Sequence, residues 1–239
     1  MLRKFGSLDR RRALSLGLVF MSTALLAAGI IGIVSALSRD GADLPSEGSI
    51  SDIVAEATSA PTQDANVDAG TPRGPLPVRF VIPGLYIDAP VITETLGEGA
   101  IPNVPSRPDQ VAWYDFTASP GLTSNAVFTG HVDWQTDDGV PIPGVFYRLR
   151  EMKIGDIIEV ALEDGASLKY RVTGNVAAPY DDPNVVKVMN ATDRDVITVI
   201  TCGGTWLSNG RSANGGNYSH RIIVRAERVL ESVGSAGGG

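Results

Sequence analysis

The sequence is poor in the residues that build metal sites and covalent staples: one cysteine, Cys202, and two histidines, His131 and His220, in 239 residues. A single thiol excludes an intramolecular disulfide framework, and neither C-x-x-C nor H-x-x-x-H spacing is present for zinc. No metal and no cofactor are expected. Positive charge is also scarce, with 20 Lys and Arg against 27 Asp and Glu, a formal net charge of −7 and a pI near 4.8. That balance, with no basic stripe after the amino terminus, excludes a sequence-blind nucleic-acid binder, which must neutralise phosphates. Long amphipathic helices and internal repeats are missing. At this length one good core plus appendages is expected.

Against these absences stands one long apolar run, "ALSLGLVFMSTALLAAGIIGIVSAL", from Ala13 to Leu37. About 25 uncharged residues suffice as a helix to cross a hydrocarbon layer of ~30 Å. Arg3, Lys4, Arg10, Arg11 and Arg12 precede it and Asp40 and Asp43 follow, so the cation excess predicts a cytoplasmic amino terminus and an outward-facing remainder. A cleaved signal peptide is the alternative, since "SALSRD" supplies small residues, but the run exceeds an ordinary h-region. The expectation is therefore a basic cytoplasmic segment over residues 1–12, a transmembrane signal anchor over 13–37 and a single-pass protein of the cell membrane with an extracellular domain. Residues 38–74, rich in Ser, Ala, Asp, Gly and Pro, read as a disordered stalk, and residues 232–239, "SVGSAGGG", as a disordered tail.

The folded part, residues 75–231, alternates β-rich runs with turn chemistry. Strands are predicted at Val78–Pro83, Leu85–Ile92, Asn125–Val132, Asp156–Leu162, Ser167–Ala178, Val185–Met189, Asp195–Cys202 and Arg221–Val229. Asp164–Gly165 marks a hairpin, read as a type I′ turn. "VFYRLREM" (Val145–Met152) reads as one or two helical turns. The fold class is all-β, a barrel or sandwich of about eight strands.

Cys202 ends the β-branched run "DVITVIT" and precedes Gly203–Gly204. Both faces of such a strand are covered, and the glycines release the backbone just where the thiol emerges. A buried small hydrophobe is one reading; in an exported chain, a leftover thiol is also a candidate nucleophile. A nucleophilic thiol needs a proton-handling partner. His131, in "VFTGHVDW", projects from a strand end in an equivalent setting, whereas His220 adjoins Arg221 and points to the opposite face. Arg221 opens the last strand, and an antiparallel meander would bring it beside Cys202, where a guanidinium can hold an oxyanion. Asp133, Asp137 and Asp138 form an acidic loop without the oxygen spacing of an EF-hand, read as solvated.

Taken together, these residues resemble a sortase, the family of membrane-anchored cysteine transpeptidases of Gram-positive envelopes. "ITC" at Ile200–Cys202, "TGH" ending at His131 and Arg221 in "RIIVRA" carry the likeness. "VRFVIPGLYIDAPVI", "PDQVAWYDFTASPG" and "GVFYRLREMKIGD" extend it over most of Pro75 to Val229. "TCGGTW" and "GVFYRL" are most similar to the actinobacterial-type classes E and F, while "VITCGG" departs from T-L-x-T-C at the leucine. The resemblance implies a sortase-type closed barrel with catalytic Cys202, His131 and Arg221. It also implies cleavage of an LPxTG- or LAxTG-like sorting signal between Thr and Gly, and transfer to a peptidoglycan precursor or pilin amine. Thr201 and Trp206 are expected to contact the substrate peptide. Competing readings are an exported thiol hydrolase or peptidase, including an L,D-transpeptidase, whose S-H-G-C run is absent, and a non-catalytic anchored β-barrel that binds a ligand.

Overall fold

The computed structural model describes residues 44–58, 74–208 and 216–230. The segments read as cytoplasmic (1–12), membrane-spanning (13–37) and tail (232–239) lie outside the described residues. Among the described residues no helix is long and apolar enough to cross a membrane.

Among the described residues eleven strands form: β1 Ser46–Glu47, β2 Pro77–Ile82, β3 Ile87–Glu94, β4 Val111–Tyr114, β5 Ser124–Thr129, β6 Asp133–Gln135, β7 Pro141–Pro143, β8 Ile157–Leu162, β9 Ser167–Pro179, β10 Asp195–Leu207 and β11 Asn217–Arg228. The α-helices α1 Ile50–Thr58 and α2 Asn184–Lys187 accompany them among the described residues. The main sheet runs β9-β11-β10-β5-β4-β3-β2-β8, and β8 pairs back onto β9, so eight strands close a barrel and leave no open edge among them. β1 adds to β9, and β6 with β7 makes a separate hairpin. Alternate residues fill the barrel: Phe80 and Ile82 of β2, Trp113 of β4, Phe128 of β5, Val160 of β8, Tyr170 of β9, Ile197 and Val199 of β10, Ile222 and Val224 of β11. Phe80 packs on Phe128 and Phe146 at centroid distances of 5.0 and 5.8 Å. Phe146 leads into the short 3₁₀ turn Leu149–Glu151, within the stretch expected to be helical.

The opposite, outer face of β9, β11 and β10 carries a second apolar cluster. Ile53 of α1 and Val188, just after α2, meet Val176, Ala178 and Ile223 there, with Ile200 packed alongside. Three expectations change at this point. The stretch read as disordered stalk holds α1, whose Ile50, Ile53 and Val54 recur at helical spacing and bury one face against the sheet. The run "VVKVM" is a helix rather than a strand: Asp182 Oδ1 accepts the Asn184 amide at 2.8 Å, and the turn that follows directs Val185 and Val188 onto the outer cluster. The Asp164–Gly165 hairpin forms, but with a positive φ at Gly165 (88°) and not at Asp164. Gly165 N donates to Leu162 O at 3.0 Å and Leu162 N to Ala166 O at 2.8 Å, a three-residue loop ending in left-handed glycine instead of type I′.

Candidate active site

β10 and β11 run antiparallel as expected, and the register sets Cys202 directly across from Arg221. Cross-strand partners share a face. The pairs further down are Ile200 with Ile223 and Thr198 with Arg225, so the thiol stands on the outer face at the open end of a stripe whose other end lies under α1 and α2.

β10 also pairs with β5, in parallel, and the last paired residues are Ile200 and Thr129. Thr129 Oγ1 donates to Ile200 O at 3.1 Å, and one residue further on Thr201 Oγ1 donates to Gly130 O at 2.8 Å. The two strands therefore part side by side, β10 running on through Cys202 while still paired with β11, and β5 giving way to the turn that carries His131. Thr201 does not face the cleft: it is 2 % exposed and points inward. The expected substrate contact is instead a strut that ties the cysteine strand to the histidine strand.

His131 is fixed from three sides. Its Nε2 lies 2.7 Å from the Pro105 carbonyl, and because a carbonyl only accepts, Nε2 carries the hydrogen and Nδ1 presents the lone pair. Trp134 packs edge-on against the imidazole at 4.9 Å and 76°. Behind the ring, the His131 carbonyl accepts the Phe146 amide at 2.9 Å, while Gly144 N donates to Val132 O at 3.0 Å. A Cβ at Gly130 would lie 2.6 Å from Val145 Cγ1 and 2.7 Å from Phe146 Cδ2, so only glycine lets the core approach this closely. His220, by contrast, pairs with Gly203 and bonds Ser219 Oγ through Nδ1 at 2.8 Å.

Arg221 is held by neutral oxygens: Nη2 donates to Asn217 Oδ1 at 2.9 Å, and Nη1 to the His220 and Tyr218 carbonyls at 3.0 and 3.4 Å. No carboxylate cancels its charge among the described ion pairs. Burial pushes the Cys202 thiol up from its ordinary value, Arg221 pulls it back, and Asp133 pushes it up again. Both charges therefore reach the thiol at one mouth. Tyr218 hydroxyl donates to Asp133 Oδ2 across that mouth. Trp206, 50 % exposed, stands opposite Tyr218 at the far end of the β10–β11 hairpin, its ring edge-on at 5.2 Å. It is thus a rim aromatic rather than part of the core. Sequence reasoning missed Tyr218 and its bond to Asp133, which depends on β11 starting at Asn217, four residues before the predicted strand. Among the described residues no group of three or more His, Cys, Asp or Glu side chains is placed to hold a metal.

A thiol at the rim of a closed barrel, opposed by an uncancelled guanidinium, with an imidazole just beyond the end of the adjoining strand, is an arrangement for acyl transfer; the class is that of the cysteine transpeptidases. Residues 80–229 match the Sortase domain, and the chain belongs to the sortase family, whose members join proteins bearing a sorting signal to amine acceptors. Among solved structures the chain is similar to sortase C-1 from Actinomyces oris, at 26% identity and TM-score 0.46 over 76% of this chain and 99% of that one. It is also similar to a lid mutant of sortase A from Corynebacterium diphtheriae, at 20% and 0.48 over 78% and 96%. Sortase C1 from Streptococcus suis aligns at 21% and 0.46 over 66% and 75%. Comparison with curated proteins finds no match.

Proposed function

We propose that this sortase cleaves an LPxTG- or LAxTG-like signal between Thr and Gly, using Cys202 as nucleophile, His131 as acid and base, and Arg221 as oxyanion donor. The observation that carries the reading is the register pairing of Cys202 with Arg221, two residues beyond the point where β10 parts from the strand that leads into His131. Cys202 passes its proton to Nδ1 of His131, the nitrogen left free by the Nε2–Pro105 bond, and the thiolate attacks the threonine carbonyl. Arg221 stabilises the oxyanion with guanidinium N–H groups that neutral oxygens leave cationic. Imidazolium then protonates the departing glycine amine, and the acyl group remains on sulfur as a thioester. An incoming amine reverses these steps. Trp206, on the rim, would line the path of the peptide.

We further read the enzyme as anchored by residues 13–37 with its catalytic domain outside the membrane, of the class E or F type, and serving a peptidoglycan precursor or, second, a pilin lysine. Mass spectrometry of the full chain with a panel of sorting-signal peptides and added amines tests this. The wild type should acquire an acyl adduct on Cys202 with loss of the Gly-containing tail. Continued peptide cleavage by C202A would overturn the assignment.

A further inference from the structure

The scheme above leaves one charged group at the mouth unused. Asp133 lies two residues beyond His131, half-buried, and its Oδ2 accepts the Tyr218 hydroxyl. Tyr218 sits three residues before Arg221 on β11, so this bond ties the histidine-bearing turn to the arginine-bearing strand across the cysteine. Among the described residues the other oxygen, Oδ1, has no hydrogen-bond partner. The Tyr218 ring is backed by Trp206, half-exposed on the same rim. An anion at this position works against the first half of the reaction, because it disfavours the thiolate that Arg221 favours. The second half has the opposite need. Its nucleophile is a primary amine, which arrives at neutral pH as an ammonium ion, and Arg221 repels it. A carboxylate with an open oxygen beside aromatic rings is the chemistry that recognises an ammonium.

We propose that Asp133, oriented by Tyr218, whose ring Trp206 backs, docks the ammonium group of the acceptor amine next to the thioester on Cys202. This rests on the transpeptidase reading given above. The docked ammonium gives one proton to water; the neutral amine attacks the thioester carbonyl; its second proton passes to Nδ1 of neutral His131. The C–S bond breaks, the sulfur leaves as thiolate, and the amide keeps the third hydrogen. Thiolate and imidazolium then return to thiol and neutral imidazole.

The test uses the full chain, one donor peptide and two nucleophiles at neutral pH: n-butylamine, which is cationic, and hydroxylamine, which is largely uncharged. The readout is the ratio of their kcat/KM values. In D133N the ratio should fall about tenfold through a higher KM for butylamine, the size expected for losing one partly exposed ammonium–carboxylate contact. D133E should restore much of it, and Y218F, which keeps the charge but frees its orientation, should lower it less than D133N does. An unchanged ratio in D133N, or equal losses for both nucleophiles, overturns the proposal. The acyl adduct on Cys202, weighed with donor alone, separates the two levels. An adduct with an unchanged ratio overturns the ammonium site only, whereas no adduct in the wild type overturns the transpeptidase reading and this one with it.

Discussion

Two arginines on one face of β11, Arg221 and Arg225, sit four residues apart yet meet opposite environments. Arg225 faces Thr198 beneath α1 and is 2 % exposed. Glu56 Oε2 lies 3.5 Å from its Nε, and its Nη2 reaches the Val188 and Ile53 carbonyls at 3.3 and 3.5 Å, while Nε and Nη1 have no hydrogen-bond partner among the described residues. Burial pushes this guanidinium down to about 10, against the pull of Glu56, so it stays charged at neutral pH at a cost. Arg221, half-buried, faces Cys202 and is held by amide and carbonyl oxygens that position it without neutralising it. The lesson is that a counter-ion turns a guanidinium into a structural tie, and its absence leaves a charge free to act on the neighbouring sulfur.

The comparison breaks most visibly at Arg221. R221A should lower kcat/KM for peptide cleavage by about 10²–10³, the loss typical of removing an oxyanion donor, with a smaller change in Tm than any variant at the buried end. Next in size is Glu56→Ala, which leaves Arg225 buried without its carboxylate. Breaking such a pair costs about 3 kcal/mol, or roughly 6–12 °C in Tm for a domain of this size. Calorimetry should show that loss, with cleavage per folded molecule little altered. The double variant E56Q/R225M should recover stability over E56A, because an apolar side chain fits the outer cluster without a stranded charge. If E56A left Tm unchanged and R221A left turnover unchanged, the two arginines would be interchangeable and the contrast empty.

The reading from sequence succeeded where information is local and failed where a distant segment decides. Cys202, His131 and Arg221 each close or open a β-branched run next to glycine or a turn, which marks them within a few residues, although β10 runs on to Leu207 and β11 begins already at Asn217. The pairing of β10 with β11 followed from adjacency in the chain. Nothing within the strand of Arg225 announces that residues 50–58 cover it. The signal for α1 was present, with apolar residues three and four apart behind Ser49, whose Oγ accepts the Ser51 amide at 3.1 Å, but the polar composition around it masked the periodicity. β4, "VAWY", lacks alternation because all four residues are buried, and so gave no period to detect. Thr201 was misplaced by one step of the strand: its face follows from the parallel pairing with β5, which links residues some seventy apart.

A smaller effect is expected from behind the histidine. Gly144 packs against the His131 backbone so closely that a methyl group there would overlap the carbonyl. G144A must therefore move the His131 segment or the 141–145 strand end, an overpacking worth about 1–3 kcal/mol. Because the shift reaches the imidazole and not the guanidinium, acyl-adduct formation and aminolysis should both slow, by about tenfold on the same scale, while the alkylation midpoint of Cys202 stays put. A wild-type rate in G144A would show that the histidine tolerates displacement.

The smallest expected change, and the one that compares the charges at the mouth most directly, is in the titration of the thiol. Burial and Asp133 raise Cys202 above its ordinary value, and Arg221 opposes them. Iodoacetamide alkylation followed against pH should therefore give a midpoint above that of a free cysteine, moving further up in R221Q and down in D133N. The sign for stability follows from the same shift. The unfolded chain ionises its thiol first, so the contribution of this group is whole below the ordinary thiol value and is lost as pH rises through the folded one. C202S should flatten that alkaline slope of the unfolding free energy, and C202S should change it by the same amount in an E56A background, where Arg225 alone is altered. A slope that vanished in E56A instead would place the alkaline sensitivity at the buried end of the stripe, in the charge pair under α1, and would remove the reason for assigning the two ends different work.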